Sequence, residues 1–228
     1  MSDDKLSELD KIPDLHYKAI SHVFEEGLVP DYGLWLEFGV YTGGTIRRMA
    51  RRTTRNCVFG FDSFKGLPEA WEHRDGGAFP KGTFDLKHWR PQVPENVTLI
   101  EGWYCDTLPA FIKDHPEPVT FLHIDSDIYS SAKEILTNLV PQIANGAIIV
   151  FDELVEYDAF TYHEWKAWWE FVDTYQITFE WIGGNRSKII HPRDVEDIFE
   201  FDHPPTTSVS PPWENVAVKI IHNPSFKE

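Results

Sequence analysis

The chain reads as an α/β protein, with a mostly parallel sheet and helices on both of its faces. Two observations predict this. From residue 34 onward, short apolar runs alternate with stretches of helical periodicity, the signature of repeated β-α units. Of the 228 residues, 42% are hydrophobic and 14% aromatic, ample for a packed core and inconsistent with global disorder. The length suits one domain over residues 1–228 rather than two.

The elements follow in order. Leu15, Ala19, Ile20, Val23 and Phe24 recur at helical spacing and stop at Gly27, so residues 14–27 predict an amphipathic helix within an N-terminal extension over 1–30. Its two open roles are covering the active site and packing against a second copy of the chain. Strands are predicted at 34–40, 57–61, 97–101, 119–124, 147–151, 177–182 and 216–221. Helices are predicted at 43–52, 107–113, 130–140 and 162–175. Two segments fall outside the alternation. Residues 66–96 carry Gly66, Pro68, Gly76, Gly77, Pro80, Gly82, Pro91 and Pro94 around Trp71, Phe79 and Trp89. Residues 202–214 carry Pro204, Pro205, Pro211, Pro212 and Trp213. Long loops in a compact domain are often lids or binding loops. The first is read as a lid or substrate loop, with a surface excursion pinned by its own aromatics as the alternative.

Charge narrows the function classes. The formal net charge is −16, which argues against a nucleic-acid partner and an anionic membrane surface, and permits a cationic ligand. No apolar run is long enough for a membrane span, and MSDDKLSELDKIPD lacks the apolar core of a secretory signal. Cys57 and Cys105 make neither a metal spacing nor a disulfide framework. The expectation is a cytoplasmic protein with two free thiols.

The chemistry gathers at strand ends. LEFGVYTGG leads from the strand 34–40 into a helix, with Glu37, Gly39, Gly43 and Gly44 in an E-x-G-x-x-x-G-G pattern. Glycines there let a backbone approach a ligand, at the strand edge where open α/β sheets bind. A tight turn needing positive φ is the plain alternative. The next strand, CVFGFDSF, ends in Asp62, placed to accept both hydroxyls of a ribose. The G-x-G-x-x-G spacing that serves a pyrophosphate is absent. A ribose without a pyrophosphate points to S-adenosylmethionine (SAM). Glu37 then either holds its cationic amino-acid end or caps amides of the turn.

Two further strands, in VTFLHIDSDIY and GAIIVFDEL, end at Asp125 and at Asp152 and Glu153. Neighbouring strands lie about 5 Å apart, so three carboxylates would crowd one edge and repel one another. A hard divalent cation, Mg²⁺ or Ca²⁺, resolves that conflict. Helix capping by each acid is the alternative. Asp127 is read as a cap of the following helix, and His123 as a buried, satisfied histidine. Trp165, Trp168 and Trp169 are read as one helix face. His163 and Glu164 are open between reaching substrate and capping at the surface.

Together LEFGVYTGG, GFDSFKGLPE, EGWYCDTLP, the segment LHIDSDIYSSAKEILTNLVPQIANGAIIVFDE, EWKAWWEF and NVAVKII resemble the macrocin O-methyltransferase family of class I SAM-dependent methyltransferases. The resemblance implies a Rossmann-like sheet with an antiparallel last strand, and methyl transfer to a sugar hydroxyl of a natural product with Mg²⁺. It implies metal ligands at Asp125, Asp152 and the next residue, usually Asp in the family and Glu153 here, with Asp125 as base. It carries SAM contacts to Glu37, Gly39, Tyr41, Thr42 and Gly43, to Asp62 and Ser63 at the ribose, and to Trp103, Tyr104 and Asp106 at the adenine. The acceptor is expected to be a hydroxylated small molecule. Three rivals stand beside this: a metal-independent methyltransferase acting on N or C, an NAD or nucleotide-sugar enzyme, and a non-catalytic binding module.

Overall fold

A computed structural model describes residues 3–55, 57–73, 76–186 and 214–227. The proline-rich segment expected as a second loop, up to Trp213, lies outside the described residues. The strands are β1 (Leu34–Phe38), β2 (Val58–Asp62), β3 (Trp71–Glu72), β4 (Ala78–Phe79), β5 (Val97–Glu101), β6 (Val119–Ile124), β7 (Ile143–Phe151), β8 (Thr178–Gly184) and β9 (Val216–His222). The helices are α1 (Asp3–Leu6), α2 (Ala19–Glu25), α3 (Gly44–Ala50), α4 (Tyr104–Asp114), α5 (Tyr129–Leu139) and α6 (Glu164–Tyr175).

Seven strands form one sheet in the order β5-β2-β1-β6-β7-β9-β8. The pairs β2–β5, β1–β2, β1–β6 and β6–β7 are parallel, and β9 runs antiparallel to both β7 and β8. This is the Rossmann-like methyltransferase sheet with its antiparallel last strand. Connections leave β1 toward β2 on one side and resume at β6 on the other. The carboxyl ends of β1 and β6 therefore flank the crevice where such sheets bind ligands.

The central strands β1 and β6 are buried along their whole length, so their residues alternate between two cores. Leu34, Leu36 and Phe38 face the core filled by α4, α5 and α6, while Trp35 faces the core filled by α2 and α3. Trp165, Trp168 and Trp169 are buried on α6. There they pack with Phe179 and Trp181 of β8, as the helix-face reading expects. Among the described residues, no helix is long and apolar enough to cross a membrane.

Three boundaries differ from expectation by three residues or more. The helix expected at 107–113 starts at Tyr104, because Cys105 and Asp106 face solvent and hide the first turn's periodicity. β7 begins at Ile143 rather than 147; Asn145 and Gly146 (φ +86°) sit beside a register shift against β6 and read as a turn. The helix expected at 14–27 forms only from Ala19 to Glu25. Residues 13–15 instead run as a strap along the end of β8: Gly184 N–H donates to Pro13 O (3.0 Å) and Leu15 N–H to Gly184 O (2.8 Å). Farther back, Lys5 pairs with Asp173 (2.7 Å) and lies 3.9 Å from the Trp169 ring centroid, and Trp181 Nε1 donates to Glu8 Oε2 (3.3 Å). The N-terminal residues thus pack on α6 and β8 of their own chain.

Within 66–96, β3 and β4 pair as a small hairpin. Trp71 stacks on Phe79 (5.0 Å), and His73 stacks on Tyr157 (4.8 Å) and pairs with the buried Glu214 (3.4 Å). The loop is pinned by its own aromatics and also docked against the chain beyond β7.

Candidate active site

The glycine at the end of β1 is required by the backbone. Gly39 has φ +91°, and a Cβ there would stand 1.7 Å from the Asp125 carbonyl oxygen. Gly39 N–H donates to Phe61 O (3.0 Å), and Asp125 N–H to Phe38 O (2.9 Å), so the ends of β2, β1 and β6 close tightly on one another. Tyr41 (φ 46°) and Gly43 (φ 81°) turn the chain into α3. Arg47 donates to Thr42 O (3.0 Å) and to Gln92 O (3.3 Å), tying this turn to the 66–96 loop.

Asp62 ends β2 and braces the same turn. Its Oδ2 accepts Tyr41 N–H and its Oδ1 accepts Phe64 N–H, each at 2.7 Å. Burial raises its pKa while these amides oppose the rise. An ionised carboxylate is acceptor-only with about four lone-pair sites, so Asp62 keeps acceptor capacity for the hydroxyls of a ribose diol. Ser63 is buried, its Oγ accepting Lys65 N–H (3.1 Å). Trp103 caps the start of α4, and Tyr104 sets its ring edge-on to Phe38 (5.2 Å). Burial and then Asp62, Asp125 and Asp127 push the Tyr104 hydroxyl well above the ordinary phenol range. Asp106 is solvent-exposed on the first turn of α4.

The structure brings the strand-end acids together, with a change of membership. Asp125, Asp127 and Glu153 each offer an oxygen within 4.8 Å of the others. Asp127 does not cap α5: the cap residue is Ile128, and no side chain bonds the helix start. A left-handed backbone (φ 63°) turns Asp127 inward instead. Asp152, expected among the ligands, lies beside this group and faces His123 Nε2 at 3.7 Å. Sequence reasoning also left Glu164 half-assigned. It is 0% exposed, and its Oε1 accepts Ser126 N–H (3.3 Å) and Oγ–H (3.4 Å), while Oε2 has no hydrogen-bond partner. Its spacing was the missed signal, because Glu164 shares the buried face of Trp168 and Phe171 at i, i+4 and i+7.

These carboxyls are held far from their ordinary state. Burial, then Asp152, pushes Asp125 and Glu153 well above the carboxylate range. Burial and the charges of Asp152 and Asp62 raise Asp127 to about 7. Burial and Asp127 raise Glu164 to about 8. Asp152 goes the other way: burial opposes its charge, but Lys18, His123 and Glu153 outweigh burial and keep it ionised. Beneath lies His123, 1% exposed, with Nδ1 at 3.1 Å from Oε1 of the equally buried Glu37. Burial disfavours its charge, but Asp152 and Glu37 prevail and hold it up to about 10. Glu37 therefore lies under the crevice rather than on its surface. An all-oxygen set of crowded, partly protonated carboxyls fits a hard divalent cation.

A parallel sheet with an antiparallel last strand, a glycine turn at the switch point and acids at adjoining strand ends define a class I methyltransferase framework. Residues 36–154 match a family described as a methyltransferase domain, and the chain belongs to that family. It is 26% identical over 164 residues to 8-demethyl-8-(2,3-dimethoxy-alpha-L-rhamnosyl)-tetracenomycin-C 4'-O-methyltransferase of Streptomyces olivaceus, covering 64% of this chain and 60% of that one. It is 28% identical over 137 residues to demethyldecarbamoylnovobiocin O-methyltransferase of Streptomyces niveus, covering 52% and 51%. The matches thus span little more than half the length of either relative. Among solved structures, the calicheamicin methyltransferase CalS11 superposes with a TM-score of 0.53 at 22% identity, covering 77% of this chain and 74% of that one. The O-methyltransferase NovP superposes with 0.51 at 21%, covering 88% and 75%. These two likenesses concern the fold.

Proposed function

We propose that this chain is a SAM-dependent O-methyltransferase. It acts on a hydroxyl of a small molecule, with the sugar moiety of a natural product as the favoured acceptor and a divalent cation of the Mg²⁺ type assisting. The observation that carries this is the group Asp125, Asp127 and Glu153 at the strand ends beside the glycine turn. The family supports methyl transfer. The names of both relatives support an oxygen acceptor on a natural product.

SAM supplies a sulfonium-bound methyl group. In this reading Asp62 accepts the ribose hydroxyls, and Trp103 and Tyr104 border the adenine end. Asp125, Asp127 and Glu153 would hold the cation, with Asp152 alongside, and a bound cation would orient the acceptor hydroxyl and lower its pKa. Asp125 takes the hydroxyl proton on a carboxylate oxygen. The 66–96 hairpin covers the acceptor and excludes water. Holding the acceptor oxygen about 3 Å from the methyl supplies much of the rate.

Three results test this reading. Activity should fall on chelation and return with Mg²⁺. Full activity in EDTA, with no metal found by elemental analysis, would transfer the case to the metal-independent methyltransferase. Asp62→Ala should weaken S-adenosylhomocysteine binding by about 1.5–3 kcal/mol, the range for hydrogen bonds to a charged group. Titration calorimetry giving the wild-type affinity in a folded variant removes Asp62 from the cofactor site. Calorimetry with NAD separates the nucleotide-enzyme rival.

A further inference from the structure

We propose that Arg90 is a positioning residue of the cofactor site: it clasps residues 87–92 across the two turns between which the adenosine of SAM would lie, and so governs how fast the cofactor enters and leaves. Those turns start from paired strand ends. Asp62 pairs with Glu101 across β2 and β5, and Gly102 N–H donates to Asp62 O (3.0 Å). The chain then runs on to Phe64 on one side and to Trp103 on the other. Arg90 reaches across the pair. Its guanidinium carbon lies 4.7 Å from the Phe64 ring centroid. Its Nε donates to Glu101 Oε2 (2.8 Å) and its Nη2 to Glu101 Oε1, a forked, two-point pair. Its Nη1 donates back to Lys87 O (2.9 Å) and Trp89 O (2.8 Å), so the fork and the turn 87–90 move as one piece. Pro91 and Gln92 then meet the glycine turn. A Cβ on Gly43 would stand 2.9 Å from Pro91 Cβ, and Gln92 O accepts from Arg47 (3.3 Å). Residues 87–92 thus run from the end of β5 past Phe64 to Gly43. Farther along, Asn96 Nδ2 donates to Ala50 O and Thr53 O, each at 2.9 Å, which anchors the far end of the segment without Arg90. The Arg90–Glu101 pair reaches solvent. Such pairs add little to stability and weaken as salt rises, so this one can open and close readily.

The inference rests on the SAM reading above, and the cation plays no part in it. The experiment measures association and dissociation rate constants of S-adenosylhomocysteine by surface plasmon resonance, on the full chain, at low and at high salt. This probe is a zwitterion without net charge, so salt acts mainly through the protein's own ion pairs. Arg90→Gln should speed dissociation by about tenfold and association by about twofold. The shared direction marks a clasp, because losing a contact to the bound ligand speeds dissociation alone. Glu101→Gln cuts the same pair from the other side and leaves Arg90 its bonds to Lys87 O and Trp89 O. It should speed both steps by about two- to threefold. In wild type, dissociation should quicken by about twofold at high salt, and both variants should lose that response. The double variant should release no faster than Arg90→Gln, because both changes cut one link. Should Arg90→Gln fail to fold, Glu101→Gln and the salt response of wild type carry the test. Wild-type rates in the folded variants, faster dissociation with unchanged or slower association, or additive effects in the double variant overturn the inference alone. A wild type that binds no S-adenosylhomocysteine overturns it together with the cofactor part of the proposed function.

Discussion

Asp125→Asn is expected to lower turnover by roughly a hundred- to ten-thousand-fold, the span of a positioned general base, with little change in folding. The backbone of Asp125 carries the structural duty, through its N–H to Phe38 O and its carbonyl against Gly39, and Asn leaves that untouched. The side chain is half-buried at the mouth of the crevice. The substitution removes the proton acceptor and the negative charge of one of the three ligands proposed for the cation. Asp127→Asn and Glu153→Asp should act mainly on the cation, so raising Mg²⁺ should restore part of their activity. A methyl-transfer assay on Asp125→Asn with a wild-type melting curve decides the point; activity within about tenfold of wild type would move the base elsewhere in the acid cluster.

Gly39→Ala is expected to destabilise the fold by about 3 kcal/mol or more, a large fraction of the roughly 5–15 kcal/mol that holds a domain folded. Two costs combine. A side chain at φ +91° is strained whatever surrounds it, and here the added carbon also meets the Asp125 carbonyl at 1.7 Å. Gly76→Ala separates the two, because Gly76 also has positive φ (+68°) but nothing within 4 Å. That variant should lose only about 1–2 kcal/mol. Denaturant midpoints for the pair measure the difference; equal losses would mean that the strands part at little cost.

Much of this was legible in residue order. β5 and β6 fall on the residues read as apolar runs, since turn signals bound them on both sides. Asp62, Asp125 and Glu153 could be placed at or just beyond strand ends because chain position alone reveals where strands stop. What failed was direction. Asp127 sits where caps are common, and only its left-handed backbone sends it inward. Glu164 is sequence-distant from Ser126 and meets it through the packing of α6 beside α5. Asp152 follows the last residue of β7 like any candidate ligand, yet the imidazole it faces belongs to another strand. Periodicity reports which face a residue takes, whereas partners across the sheet emerge only when strand order is known.

The strap formed by residues 13–15 has a consequence for solubility. Among the described residues, β8 is the outermost strand on its side of the sheet, and an open strand edge is a template for pairing with another chain. At Gly184 both backbone hydrogen-bonding groups are taken by the strap, and Arg186 N–H is taken by the Asp14 side chain (3.0 Å). The final stretch of that edge is closed by the chain's own beginning. Along the rest, the exposed Thr178 and Glu180 place polar and charged groups where an incoming strand would have to lie. The residues ahead of α2 thus guard the sheet against growing into a neighbour's.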